Sequence, residues 1–259
     1  MELIVVCFII AIASVMGWKA KSITKDGAIA AFIVGLLIYL GFSYQGLFLL
    51  GCFFCSSSFF SKYQNKRKRI AADILEKGEQ RDIIQVFANG GVPAFLGFIY
   101  SFGFISQQTA LVCFCISLAA ANADTWASEI GTMSKKEPRL LLTMKKVPRG
   151  TSGAVSILGT TAAIGGALFI AFISYLLFSL SLVWVVYIAL FGFLGNLLDT
   201  IIGQTVQVKY KCTYCGKITE KQNHCNFKGV KISEYSFLNN DAVNFISIIL
   251  ATSLGFLLS

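Results

Sequence analysis

Charge is scarce in this chain. Lys, Arg, Asp and Glu together make up 14% of its 259 residues, where a soluble domain carries about 25%. Histidine occurs once, at His224, so no Ser-His-Asp triad is available. There is no GxxxxGK[ST] segment, which excludes a P-loop nucleotide site. The first apolar stretch, Glu2 to Met16, lacks a basic leader and a small-residue cleavage site, so it reads as a membrane span rather than a signal peptide.

Apolar residues are plentiful. They form 56% of the chain, Phe alone occurs 23 times, and the mean hydropathy is +0.71. This predicts an all-α fold: a polytopic integral membrane helix bundle forming one domain over 1–259. A span needs about 20 apolar residues, and eight candidates follow, at 2–17, 27–43, 46–61, 83–105, 107–125, 153–179, 181–206 and 241–258. Some are expected to be short or broken at one end. The segment 207–240 is a polar insertion between the last two.

In a soluble protein a net charge of +9 would suggest nucleic acid. Here the positions of the cations point to topology instead. Lys19, Lys21 and Lys25 fall in the first loop. Lys62, Lys66, Arg67, Lys68, Arg69, Lys77 and Arg81 fall in the third. Lys135, Lys136, Arg139, Lys145, Lys146 and Arg149 fall in the fifth, and Lys209, Lys211, Lys217, Lys221, Lys228 and Lys231 in the seventh. All 22 Lys and Arg therefore sit in odd-numbered loops, and the even loops near 44, 106 and 180 have none. The positive-inside rule then makes the odd loops cytoplasmic and puts both termini outside.

Polar side chains inside spans are costly and mark function by default. They gather at one end of each span. Arg81, Gln85 and Asn89 recur every four residues at the start of the fourth span, beside Asp82. Asn122 and Asp124 end the fifth. Thr151, Ser152 and Ser156 begin the sixth. Asn196 and Asp199 share a face of the seventh with Gly192 and Gly203. Asn240, Asp241 and Asn244 begin the eighth. All these ends lie on the basic-loop side, so the working site is expected to open to the cytoplasm. A transporter more often holds its polar groups near the midplane.

The stretch from Asn122 to Gly153 concentrates this chemistry. Asp124 and Glu129 end one apolar segment, a basic linker follows, and Arg149 to Gly153 precede the next. A helix start there, with Thr151, Ser152 and Gly153, would offer free N–H groups to an anion. Carboxylates beside it suggest a divalent cation with a phosphorylated ligand. Mg²⁺ takes one or two carboxylates plus phosphate oxygens and water, so Asp124, Asp199 and Asp241, with Glu129, are the expected ligands. Asp124 and Glu129 lie about 140° apart on an ideal helix and meet one ion only if the helix breaks near Gly131. The bland alternative pairs each acid with a nearby Lys or Arg. Most glycines in the spans are expected to serve close helix packing, with Gly90, Gly91 and Pro93 interrupting the fourth.

Cys7, Cys52, Cys55, Cys113 and Cys115 lie in spans and read as small apolar residues. Cys212 and Cys215, followed by His224 and Cys225, lie in the seventh loop. These four fit a structural zinc site by residue type, although the gap is short and adjacent His224 and Cys225 are awkward for one ion.

Five stretches in order, RDIIQVFANGG, ANADTWASEIG, PRGTSGAVSILGT, GFLGNLLDTIIGQTVQ and NNDAVNFIS, resemble the integral membrane family that includes plant phytyl-phosphate kinase and animal transmembrane protein 19. The resemblance runs from about Ile23 to Phe245. It implies phosphoryl transfer from a nucleoside triphosphate to a polyprenyl monophosphate. A more distant similarity to phytol and dolichol kinases and phosphatidate cytidylyltransferases implies CTP and a divalent metal. On this reading Asp124, Asp199 and either Asp241 or Glu129 hold Mg²⁺. Arg149, Lys145, Lys146 and Arg81 neutralise phosphates. Gln85, Asn89, Asn122, Asn196, Asn244 and the Thr151–Gly153 turn complete the substrate contacts. The expected partners are the two phosphorylated substrates and the bilayer, with no nucleic acid; a homodimer is left open. Two other readings compete: a CTP-dependent lipid-phosphate nucleotidyltransferase, and a lipid-phosphate transporter.

Overall fold

The computed structural model describes residues 2–63, 73–74, 78, 80–233 and 235–258. Lys66, Arg67, Lys68, Arg69 and Lys77 of the third loop lie outside the described residues. Among the described residues, seven helices are long and apolar enough to cross a membrane. They are α1 (Glu2–Lys19), α2 (Lys25–Lys62), α3 (Ile83–Ser101), α4 (Gln107–Gly131), α5 (Ile157–Phe178), α6 (Leu182–Thr205) and α7 (Asn240–Leu257).

Seven helices make eight crossings because α2 folds back on itself. Its 38 residues would extend about 57 Å if straight. At Ser43 the backbone leaves helical geometry (φ 55°, ψ −154°). Leu47 then lies against Gly35, and at the far end Lys62 Nζ donates to the Ala20 carbonyl at 2.6 Å. The arms 25–42 and 44–62 are therefore the expected second and third spans, joined by a reversal rather than a loop.

Side-chain caps set several helix starts, as free N–H groups require. Thr24 caps α2, Ser106 caps α4 and Asn239 caps α7. Asp82 opens α3 in a reciprocal capping box with Gln85. Two expectations are corrected here. The helix after the basic linker starts at Ile157, capped by Ser156, and not at Thr151–Gly153. Ala154–Val155 are paired as a strand with Arg139–Leu140, which keeps the preceding turn out of the helix. And α3 runs unbroken through Gly90, Gly91 and Pro93; a transmembrane helix tolerates an internal proline when its neighbours satisfy the freed carbonyl.

The core is built around α4. Every residue from Val112 to Ala123 is buried, while the other helices bury less than half of their apolar windows and turn the rest, such as Ile4, Phe8, Val183 and Phe256, outward. That outward surface is what a lipid-embedded bundle presents. Close approach to α4 relies on small residues, as is usual without a hydrophobic driving force between spans. A methyl group on Gly192 would sit 2.6 Å from Ala119 Cβ, and one on Gly195 would sit 2.5 Å from Ala120 Cβ.

The loops at one end carry short strands. β1 (Arg139–Leu140) pairs with β2 (Ala154–Val155). Between α6 and α7, β3 (Tyr210–Lys211) lies between β4 (Ile218–Thr219) and β7 (Val230–Lys231), and β5 (Asn223–His224) forms a hairpin with β6 (Phe227–Lys228).

If the Gly195 contact sets the α4–α6 distance, Gly195→Val must force these helices apart. Overpacking of this kind costs about 1–3 kcal/mol. The expected result is a lower melting temperature in detergent than for the wild type or for Gly51→Ala, whose added methyl meets nothing within 4 Å.

Candidate active site

One cavity of about 270 Å³ opens among the helix ends on the strand-bearing side. Its walls come from the end of α2 (Ser61), the start of α3, the last two turns of α4, the start of α5, the end of α6 and the start of α7, with the 149–156 stretch across it. The expected residues Arg81, Gln85, Asn89, Asp124, Glu129, Arg149, Thr151, Ser152, Gly153, Asn196, Asp199 and Asn244 all line it. Their convergence follows from helix polarity: α4 and α6 end where α3, α5 and α7 begin.

Asp124 of α4 and Asp199 of α6 are neighbours in this lining. Each is also held from the side. Asn196 Nδ2 donates to Asp124 Oδ1 at 3.0 Å. Ser247 Oγ donates to Asp199 Oδ2 at 3.4 Å. With its amide turned so that nitrogen faces the acid, Asn244 donates to the same oxygen at 3.0 Å. Two acids from different helices, oriented by neutral donors at one cavity, form an oxygen-only donor set. That set suits a hard divalent cation, which carboxylates and water bind. Without a cation, the pair is a like-charge contact.

Glu129 lines the same cavity but is engaged elsewhere. Its Oε1 accepts from Ser61 Oγ at 2.6 Å, and its charge offsets part of the desolvation of the Arg81 guanidinium. Arg81 also donates to Ser58 Oγ at 3.1 Å and Ser61 Oγ at 3.4 Å, while its backbone bridges Ser22 and Thr24. Arg149 is fixed by the carbonyls of Ser134 (3.2 Å) and Lys135 (3.0 Å). Both guanidiniums are thus oriented by neighbours at the cavity wall.

The turn before α5 is seated on α6. Gly153 has φ +76° and a Cβ there would lie 2.5 Å from the Gln204 side chain, so only glycine fits. Ser152 Oγ donates to Gly203 O at 3.2 Å and to Gln207 Oε1. Lys209 Nζ donates to the Ser152 carbonyl at 3.2 Å. Burial pulls the Lys209 ammonium below its usual range, and Glu220 opposes that shift.

Four expected residues are placed elsewhere. Lys145 and Lys146 are exposed on the turn after β1 and do not line the cavity. Asn122 is fully buried among helices: its Oδ1 accepts from Ser56 and Ser57, and its Nδ2 donates to Gly166 O at 2.8 Å. It ties α2, α4 and α5 together. Asp241 is 4% exposed and is not among the lining residues. Conversely, Ser61, Thr200 and Glu220 line the cavity without having been singled out. Glu220 belongs to the strand-bearing insertion, where Gln207 Nε2 donates to its Oε1 at 2.8 Å; its sequence neighbourhood looks like any charged loop. Cys212, Cys215, His224 and Cys225 come together on the same insertion, outside the cavity lining.

Over residues 8–252 the chain matches the family described as integral membrane protein DUF92. It is 32% identical to Protein PGR of Arabidopsis thaliana over 98% of this chain and 94% of that protein. It is 34% identical to the uncharacterized membrane protein MJ0933 of Methanocaldococcus jannaschii, over 80% of this chain and 84% of that one. It is 28% identical to the chloroplastic Protein VTE6 of Arabidopsis thaliana, over 91% of this chain and 65% of that one. No solved structure matches it. A match across nearly the whole chain makes this multi-pass membrane protein a member of the DUF92 integral membrane family.

Proposed function

We propose that this protein transfers a phosphoryl group from a nucleoside triphosphate to a polyprenyl monophosphate, giving the diphosphate, at the cytoplasmic face of its membrane. The observation that carries the reading is the polar cavity at one end of a lipid-facing bundle, whose lining brings Asp124 and Asp199 together with Arg81 and Arg149. The resemblance to a family that includes phytyl-phosphate kinase supplies the substrate class, and the more distant one supplies CTP as donor. The basic odd-numbered loops are cytoplasmic on this reading, so the cavity opens where nucleotides are found.

Mg²⁺ is the cation the donor set fits, held by Asp124 and Asp199, and it would neutralise charge on the donor phosphates. Arg81 and Arg149 neutralise the remaining phosphate oxygens. Their side chains are already oriented, so little reorganisation accompanies substrate binding. Thr151 and Ser152, beside Arg149, add two hydroxyl groups to the cavity lining. Asn196 and Asn244 keep the two carboxylates pointed inward. The acceptor needs no general base, because a phosphate monoester oxygen is already anionic. It attacks the terminal phosphorus, a new P–O bond forms, and the bond to the departing nucleoside diphosphate breaks. A cavity of about 270 Å³ is at the small end for a whole ligand site, roughly 300–1,000 Å³. It takes the phosphates, while the base stays toward solvent and the prenyl chain lies between helices.

The test is a mass-resolved assay on detergent-purified protein with Mg²⁺, geranylgeranyl or phytyl monophosphate, and each nucleoside triphosphate in turn. The expected products are the prenyl diphosphate and a nucleoside diphosphate, CDP if CTP is the donor. Asp124→Asn and Asp199→Asn should each lower kcat by about 100-fold or more, the scale of losing one oriented charge-stabilising group. The pair Lys145→Ala and Lys146→Ala, together, should leave kcat near the wild-type value, since both are off the cavity. Pyrophosphate with a nucleotidyl lipid would replace the kinase by a nucleotidyltransferase; no turnover with any donor would sink both.

A second expectation needs no turnover. In a chelating buffer Asp199→Asn removes the like-charge contact and should raise the melting temperature, by the roughly 0.5–2 kcal/mol that relieving a strained functional site commonly returns. Added Mg²⁺ should raise the melting temperature of the wild type and leave that of Asp199→Asn nearly unchanged. Thermal unfolding followed with and without Mg²⁺ decides it.

A further inference from the structure

The cysteine cluster lies apart from the cavity, and its geometry is more specific than its sequence. One candidate ligand atom from each of Cys212, Cys215, His224 and Cys225 lies within 4.8 Å of all the others. His224 Nδ1 is 3.4 Å from Cys215 Sγ and 3.2 Å from Cys225 Sγ. Ligands about a tetrahedral zinc ion stand roughly 3.5–3.8 Å apart, given Zn–S of about 2.3 Å and Zn–N of about 2.0–2.1 Å. The four atoms are therefore close to a coordination sphere before any ion draws them in.

Adjacency of His224 and Cys225, awkward in an extended chain, is resolved by the turn. β5 and β6 pair His224 with Phe227, leaving a two-residue loop of Cys225 (φ 54°) and Asn226 (φ 63°). Both positive φ values are what a type I′ hairpin turn requires, and its first position favours Asn, Asp or Gly. A cysteine held there in left-handed geometry is an unfavourable choice for the backbone alone. The turn swings its sulfur to the same side as the His224 ring. At the other arm, Gly216 (φ +70°) closes the Cys212–Cys215 turn, and its N–H donates to the Cys212 carbonyl at 3.0 Å.

The remaining ring nitrogen is also accounted for. His224 Nε2 lies 3.2 Å from Asp73 Oδ1. A carboxylate on the far nitrogen of a metal-bound histidine fixes its tautomer and raises its basicity. Asp73 comes from a distant part of the sequence, and it also takes Lys217 Nζ at 2.8 Å. The next residue, Ile74, is held by the insertion: its carbonyl accepts from Thr219 Oγ1 at 2.6 Å and from the Glu220 backbone N–H at 3.0 Å. Glu220 then reaches the cavity wall, tied to Gln207 and through it to Ser152.

We propose that Cys212, Cys215, His224 and Cys225 bind one structural zinc ion, and that through Asp73 this centre clamps the 73–74 segment onto the insertion and fixes Glu220 at the cavity wall. The closed set of four protein ligands leaves no position for substrate, so the ion is structural. The site stands independently of the reaction proposed above.

Full-length protein, purified in detergent without chelators, should carry one zinc per chain by elemental mass spectrometry. Cys212→Ser and Cys225→Ser should each lose it, and Cys55→Ser, in the second arm of α2, should keep it. Asp73→Asn should retain zinc but weaken it about 10–100-fold in chelator competition. Cobalt(II) exchanged into the wild type should show thiolate charge-transfer absorption, a readout that survives if the serine variants fail to fold. Zinc removal should speed hydrogen exchange at the Glu220 amide. Wild-type protein with no zinc that also takes up none when it is supplied, or a disulfide joining any of these cysteines, would overturn the site. Unchanged exchange at Glu220 after zinc removal would overturn the clamp.

Discussion

The contact on which the rest depends is the close approach of α6 to α4. Gly192 and Gly195 lie against Ala119 and Ala120 with no room for a methyl group between them. One turn further along each helix, that proximity carries Asp199 up to Asp124. Two carboxylates held side by side oppose each other, and apolar packing along the helices must outweigh that opposition. The long buried face of α4, continuous from Val112 to Ala123, supplies the packing. Stability is thus spent at one end of the bundle and gathered along its length, as is common where a protein holds a strained functional site.

The same constraint explains why the cavity walls are polar and fixed. In hydrocarbon every backbone and side-chain polar group needs an internal partner. The six helix ends meeting at the cavity therefore satisfy one another: Asn196 with Asp124, Asn244 and Ser247 with Asp199, Ser61 with both Glu129 and Arg81. Arg81 is also pinned through its backbone to Ser22 and Thr24, which fastens the start of α3 to the start of α2. The loops act as a roof. Gly153 and Ser152 rest on Gln204, Gly203 and Gln207, so the stretch carrying Arg149 and Thr151 is attached to the helix that carries Asp199.

Much of this was legible in the sequence, for reasons that can be named. Cations confined to alternate loops gave the number of crossings, and the reversal at Ser43 keeps that number although α2 is one continuous element. Polar residues at one end of each span marked the cavity, because lipid penalises them anywhere else. Other features were hidden. Asn122 carries the same signal as Asn196, yet it faces Ser56, Ser57 and Gly166; polarity inside a span tells that a partner exists and not which one. Lys145 and Lys146 were grouped with Arg149 by proximity in sequence, but the β1–β2 pairing turns them away. That pairing rests on two residues per strand, too few for any alternation to register. Glu220 was hidden for a different reason: it reaches the cavity only because a long insertion folds back, and nothing local records such a return.

The placement of the cavity also bears on what kind of membrane protein this is. A transporter must expose its site to each side in turn, and its polar groups cluster where two repeats meet at mid-depth. Here the paired acids, the two oriented guanidiniums and the hydroxyl-bearing turn all lie at one end, beneath a roof of loops. At the opposite end the helix termini bring together Phe98, Phe102, Phe104 and their neighbours, with no comparable polar set among the described residues. Exposing the acid pair there would require it to cross the apolar length of α4, whose buried face is packed without interruption. A site reached from one side suits chemistry on a substrate whose charged head stays at the surface while its tail remains in lipid. The phosphorylated isoprenoid proposed as acceptor has that form, and the apolar faces of the surrounding helices, already turned toward lipid, would give its chain a place to lie with its head group at the cavity.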